Sequence, residues 1–172
     1  MHIETSRLLL RRLVSSDAQE FFRTVGDPDV MRYWAPGPDK SVQHTEHRIS
    51  EIENHWKAHG FGDWGVVEKG SGSLIGFSGL HYIANMDKVN IGYAFEKSQW
   101  RKGFGYETCP IVLSYGFQTL ALPEIVAVIS PENQASIRLA EKCGLHFWKA
   151  FSWSGRERVA YKIYRDEFLK EG

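Results

Sequence analysis

The chain has only two cysteines, Cys109 and Cys143, in 172 residues. That is too few for a disulfide framework or a four-thiolate zinc site, and neither sits in a Cys/His arrangement that would activate a nucleophile. Both read as packing residues of a reducing compartment. Charge of one sign is also not in excess. Lys plus Arg and Asp plus Glu number 21 each, so no overall positive field exists to hold nucleic acid through its phosphates. No apolar run approaches the roughly 18 residues that span a bilayer, and the opening Met1-His2-Ile3-Glu4-Thr5-Ser6-Arg7 lacks the basic-then-apolar order of a secretory signal. The expectation is a cytoplasmic protein with no nucleic-acid or membrane partner. Repeats, linkers and low-complexity segments are absent too, which leaves a single domain over 1–172.

Familiar nucleotide and metal motifs are missing as well. No Gly-x4-Gly-Lys-Ser/Thr loop occurs, and Gly103-x-Gly105 has Thr108 where a dinucleotide fingerprint needs its third glycine. His55 and His59 have the spacing of zinc ligands on a helix, and His44 with His47 repeats the theme. The glutamate of the protease motif is not there, so no metal is expected and a solvated helix face accounts for them.

What is present is a clear alternation of elements. Arg7 to Leu13 reads as a first strand, Ala18 to Val25 as a helix stopped by Gly26, and Asp27-Pro28 as the start of a second short helix reaching Trp34. A loop at 35–39 precedes a helix over Ser41 to His59, with Ile49, Ile52 and Trp56 on one face and Gly60 ending it. Then the period changes to that of strands at 64–68, 74–83 and 89–95, an antiparallel meander separated by turn residues. A glycine-bearing turn at 103–105 leads into a helix to about Leu120. A buried strand follows over 123–130, then a helix from Asn133 to Cys143 closed by Gly144. Finally, segments 145–153 and 159–164 pair around Ser154-Gly155. The architecture implied is α/β (α+β), a central mixed sheet, mostly antiparallel, with helices on both faces and a strand-helix-strand crossover in its second half.

The segment Gln99-Trp100-Arg101-Lys102-Gly103-Phe104-Gly105-Tyr106-Glu107 lies between a strand and a helix. Free amides at a helix start, glycines that allow close approach and two adjacent cations suit a phosphate or pyrophosphate; a solvated turn with two surface bases is the plainer reading. Five ordered motifs then bear on identity: Glu4-Thr5-Ser6-Arg7-Leu8-Leu9-Leu10-Arg11 with Asp17, Asp27-Pro28-Asp29-Val30-Met31 with Tyr33-Trp34, Ile91-Gly92-Tyr93, the 100–107 segment, and Asn133 through Leu145. On these the chain resembles the GNAT acyl-CoA N-acyltransferase superfamily, in the RimJ/RimL-like branch of ribosomal-protein N-terminal acetyltransferases.

The resemblance implies acetyl-CoA as cofactor. Its pyrophosphate would be held at Arg101, Lys102, Gly103, Phe104, Gly105 and Tyr106, with its pantetheine arm along the strand at Tyr93, Ala94 and Phe95. The following parallel strand, here 125–129, would splay away. Trp100 stands where the family's consensus has Gln or Arg. Asn133 and Ser136 would complete the cofactor site, and the Ser136 hydroxyl would assist the departing thiolate; helix capping explains Asn133 equally well, and a backbone-satisfying serine is the plainer role for Ser136. Tyr33, Trp34, Tyr82 and Asn90 would line the acceptor side.

Many relatives carry a glutamate base two residues before the strand glycine, and this chain has Asn90 there. His81 is the replacement favoured by its ordinary pKa, with Glu96 or ordered water as alternatives. The expected activity is acetyl transfer to a primary amine, in the first instance a protein or peptide N-terminal α-amine. A small-molecule amine or antibiotic is the alternative acceptor, and a noncatalytic acyl-CoA-binding regulatory module the alternative class. Homodimerisation through the terminal hairpin is plausible for such a family.

Overall fold

The computed structural model describes residues 2–35 and 37–171, so Pro36 of the 35–39 loop lies outside the described residues, as do Met1 and Gly172. Its strands are β1 His2–Glu4, β2 Leu8–Arg11, β3 Asp63–Glu68, β4 Leu74–Ile83, β5 Lys88–Phe95, β6 Glu124–Ile129, β7 His146–Trp153 and β8 Arg156–Tyr164. The helices are α1 Ala18–Val25, α2 Val42–His59, α3 Phe104–Ser114, α4 Gln134–Lys142 and α5 Arg165–Glu171. The strands form one mixed sheet in the order β1-β2-β3-β4-β5-β6-β8-β7; β1/β2, β2/β3, β3/β4, β6/β8 and β8/β7 pair antiparallel and β5/β6 parallel. The expected mixed, mostly antiparallel α/β fold is therefore present. Contacts group the chain into two compact units, Met1–His81 with Gly92–Phe104, and Tyr82–Ile91 with Gly105–Gly172. Strands β4 and β5 run through both.

In the first unit, α1 and α2 cover one face of β3, β4 and β5. Ala18, Phe21 and Val25 of α1 and Ile49 of α2 pack with Val67, Leu74, Phe77 and Ala94 of the strands. Local chemistry starts and stops the longer helix: the Ser41 side chain accepts from the His44 amide, and Gly60 takes the left-handed φ of +77° that ends it. Asp39, ahead of this helix, is buried and held by the Arg48 guanidinium through Nη2 at 2.6 Å and by the Thr45 hydroxyl at 2.9 Å.

The expected helix from Asp27 to Trp34 is replaced by consecutive turns. The Asp27 carboxylate accepts from the amides of Asp29 and Val30, a side-chain turn that competes with helix propagation. β1 and α5 are additions to the elements read from sequence. β1 acquires strand geometry by pairing with β2, His2 opposite Arg11.

In the second unit β6 pairs antiparallel with β8. Ser154 and Gly155, at φ +51° and +73°, form the two-residue turn between Trp153 and Arg156, as expected for a Ser-Gly hairpin, and β8 begins three residues earlier than patterning alone indicates. The helix after the glycine turn is regular only to Ser114; residues Tyr115–Thr119 widen into a π turn.

Candidate active site

The run from Trp100 to Tyr106 makes an unusual turn. Arg101 and Gly103 both have positive φ, +65° and +82°, immediately before α3 starts at Phe104. Only Gly103 adopts this region without cost; a non-glycine residue such as Arg101 there holds local strain. Such turns present successive N–H groups on one side, and the first four amides of α3 have no partner inside the helix. A Cβ at Gly103 would approach only Arg7 Nη2, at 3.7 Å, so the turn is open at that point.

Arg7 is a member of this cluster that sequence reasoning missed as a site residue. Its Nη1 donates to the Lys102 carbonyl at 2.9 Å and its guanidinium lies 4.6 Å from the Phe104 ring centroid. With Arg101 and Lys102 it gives the segment three cations. An open glycine, a helix N-terminus and local positive charge fit a diphosphate.

Trp100 has a role of its own. Its indole N–H donates to the Phe95 carbonyl at 2.9 Å, tying the turn to the end of β5. There Ala94 and Phe95 are buried, Tyr93 is half-buried, and the Phe95 ring lies 6.2 Å from that of Phe104. Glu96, a base candidate, is instead committed to Arg23, whose Nε donates to it at 2.9 Å.

A second cluster lies on the helix-covered face of the same unit. A Cβ at Gly92 would touch the Trp34 ring at 3.0 Å and the His81 imidazole at 3.4 Å, so both rings lie over this glycine. Trp34 also packs edge-on against Phe77 at 5.2 Å. Burial pushes the His81 pKa down to about 4, with a smaller contribution from the nearby His55. The ordinary pKa that recommended His81 as a base is not retained, and its imidazole is neutral at physiological pH.

The remaining candidates are spread differently. Tyr33 is half-buried in the turns before α2. Strand alternation directs Tyr82 to the opposite face of β4 from His81, and its hydroxyl donates to Asp87 at 2.8 Å in the following turn. Asn90 is buried, and its side-chain oxygen accepts from the Val128 amide of β6 at 2.8 Å, beside the parallel register point Asn90 to Val126. The Asn133 side chain caps α4 by accepting from the Ser136 amide at 3.2 Å, and Ser136 is half-buried in the first turn. Tyr106 is exposed, with Lys142 Nζ 4.5 Å from its ring centroid.

Residues 7–146 match the family model described as Acetyltransferase (GNAT) domain. The chain belongs to the GNAT acetyltransferase family. YoaA of Bacillus subtilis, an uncharacterized N-acetyltransferase, is 33% identical over 143 residues, covering 83% of this chain and 81% of that protein. A GNAT-family acetyltransferase structure from Bacillus anthracis superposes with a TM-score of 0.84 at 25% identity, covering 96% of this chain and 99% of the other. The fold is also shared with a structure named ribosomal-protein-S5-alanine acetyltransferase from Vibrio fischeri, at 16% identity and TM-score 0.79, each chain 98% covered.

As a GNAT protein the chain is an acyl-CoA-dependent acetyltransferase. The family's acyl donor is acetyl-CoA, and the cationic glycine turn described above has the chemistry to receive such an anion. Among the described residues no helix is long and apolar enough to cross a membrane.

Proposed function

We propose that this GNAT enzyme transfers the acetyl group of acetyl-CoA to a primary amine, with the α-amino group of a protein or peptide N-terminus as its first acceptor class. The observation that carries the donor half is the turn of positive-φ residues at Arg101 and Gly103, opening into α3 and flanked by Arg7, Arg101 and Lys102. Acetyl-CoA supplies the thioester that the amine attacks. The chain's own residues divide the remaining work. Backbone amides from Arg101 to Tyr106 hold the diphosphate, the edge of β5 at Tyr93, Ala94 and Phe95 offers main-chain hydrogen bonds to the amide-bearing arm, and Asn133 orients the start of α4. The Ser136 hydroxyl donates to the departing sulfur, and Trp34 with Tyr33 shapes the acceptor side.

The α-amine reading rests on likeness to the RimJ/RimL branch and on proton energetics. At neutral pH a lysine-type amine of pKa about 10.4 costs about 4 to 5 kcal/mol to hold neutral, whereas an α-amine of pKa about 8 costs roughly 1 kcal/mol. A site with Asn90 in place of the usual glutamate favours the acceptor that needs less help. The fold neighbour from Vibrio fischeri, by its name a ribosomal-protein-S5-alanine acetyltransferase, is compatible with a protein acceptor.

An acceptor panel with radiolabelled acetyl-CoA tests it. Peptides with free α-amines should be labelled in preference to the same peptides blocked at the N-terminus but carrying lysine, and in preference to small amines. Labelling of small amines alone would replace the acceptor class, and tight CoA binding without any transfer would remove the catalytic reading.

A further inference from the structure

Asp63 opens β3 directly opposite Gly79 of β4. A Cβ at Gly79 would sit 2.8 Å from Asp63 Oδ1 and would also strike the Asp63 Cα and the Gly62 carbonyl, so only glycine leaves the carboxyl room. Asp63 Oδ1 is shut off from solvent and has no hydrogen-bond partner among the described residues. Its main chain, by contrast, is anchored, since the Trp56 indole N–H donates to the Asp63 carbonyl at 3.0 Å. A buried acceptor left without a donor is costly and rare in native proteins, and it marks a place where a donor arrives.

The charged and titratable groups facing this carboxyl do not supply that donor. From α2, Arg48 exerts an electrostatic pull on Asp63, but its guanidinium is spent on Asp39 through contacts of 2.6 to 3.1 Å. His55, also on α2, has its Nδ1 2.8 Å from the Phe61 carbonyl. From β4, His81 follows Gly79 by two residues and so shares the face of Asp63. In an antiparallel pair such diagonal positions are about 7 to 8 Å apart at the backbone, within reach of a long side chain or one bridging water. The order across the face is carboxyl, then imidazole, then Gly92 with the Trp34 ring over it. Carboxylate and tryptophan are the two groups that best attract an organic ammonium in a dry setting.

We propose that Asp63 is the proton acceptor for the incoming amine, working through His81, which stands between it and the Trp34-covered surface of Gly92. An ammonium R–NH3+ yields its proton to the unprotonated ring nitrogen of His81, the opposite ring nitrogen gives its own proton to one bridging water, and that water gives a proton to the Asp63 carboxylate. The products are R–NH2, neutral His81 in its other tautomer, and Asp63–COOH. Histidine keeps no net charge, which matches a ring whose burial disfavours the imidazolium. Desolvation raises the Asp63 pKa to about 7, close to the operating pH and thus suited to accepting and returning a proton. Asp63 is a positioning and proton-holding residue, and the acceptor it serves is a cationic primary amine. This rests on the acetyltransferase reading above.

The experiment joins kinetics with a direct titration. In the wild-type enzyme, the carboxyl carbon-13 resonance of Asp63 should titrate near pH 7, and its midpoint should fall when an alanyl tripeptide with a free N-terminus is added. Asp63→Asn should lower kcat at pH 7 by at least 10-fold, leave the Kd for CoA unchanged, and remove the kcat/KM break near pH 7. Asp63→Glu should restore part of the rate with a displaced break. An Asp63 resonance titrating near pH 4, or an Asp63→Asn enzyme with wild-type rate and pH profile, overturns the inference. Wild-type enzyme that labels no amine overturns the acetyltransferase reading instead, and the resonance titration still decides the state of Asp63.

Discussion

Replacing Asp63 with asparagine should change how stability depends on pH, and the sign follows from the direction of the Asp63 shift. An aspartate in the unfolded chain titrates near 3.8, whereas burial raises the folded value to about 7. Below pH 3.8 both states hold the proton and the carboxyl contributes no pH-dependent difference. Between pH 3.8 and 7 the unfolded chain sheds the proton while the folded chain keeps it, so stability falls with rising pH; above 7 both are ionised and the loss is constant. At about 1.36 kcal/mol per pH unit over the interval of roughly three units, the loss reaches at most about 4 kcal/mol. Asparagine has nearly the same shape and cannot ionise. It carries a pH-independent cost of about 1 to 3 kcal/mol for a buried, imperfectly paired amide. Urea unfolding of wild type and Asp63→Asn at half-unit steps from pH 4.5 to 8.5 reads the difference between the two, in which other titrating groups cancel. His81, whose folded pKa is depressed, destabilises in the opposite direction as pH falls below 6.5, and it is common to both proteins. The variant should gain on wild type steadily up to pH 7 and then run parallel to it. Curves parallel throughout the range would refute the assignment of a buried, unpartnered carboxyl at this position.

Two further outcomes follow from the site geometry. His81→Ala should lower kcat about 10-fold without loss of CoA binding, measured by steady-state kinetics alongside calorimetry; rates equal to wild type from pH 6 to 9 would dispose of any role in proton transfer. Arg7→Ala removes the donor to the Lys102 carbonyl and one of three cations at the glycine turn, so the Kd for CoA should rise about 3- to 10-fold, an effect of about 1 kcal/mol. That penalty should shrink at 0.5 M salt if charge carries it, and a salt-independent loss would instead point to collapse of the turn.

The parts of this molecule that could be read from sequence are those governed by chemistry within a few residues. Gly60 stops α2 because only a left-handed residue can end it there, Ser154-Gly155 makes its hairpin because both positions need positive φ, and Asn133 caps α4 through an amide three residues away. The segment from Asp27 to Trp34 misleads because proline after an aspartate signals a helix start and a side-chain turn alike, and the Asp27 carboxylate chose the turn. β1 has no periodicity of its own and exists through its partner strand. At the site, the cationic turn was legible from Gly103, Gly105 and the adjacent bases, but Arg7 comes from a residue 95 positions away. Asp63 could have been noticed as an acidic residue in the otherwise apolar run Asp63-Trp64-Gly65-Val66-Val67, yet its significance depends on Gly79, which only the strand register reveals.

Asn90 shows why a missing base cannot be judged at its own position. In sequence it is an absence, an amide where many relatives have a carboxylate. In the folded chain its oxygen accepts the Val128 amide at 2.8 Å, close to where β5 and β6 run parallel. Since Val126, not Val128, is its register partner, the side chain serves a main-chain donor further along β6, and leaving that donor unpaired would carry the usual cost of a buried amide. The position is therefore occupied by structural work: the side-chain oxygen is engaged by a main-chain donor, and a carboxamide takes up no proton in this range. The proton has to leave by another route, and Asp63 offers a buried carboxyl whose desolvation raises its pKa to about 7, on the face where His81 and Trp34 meet over Gly92.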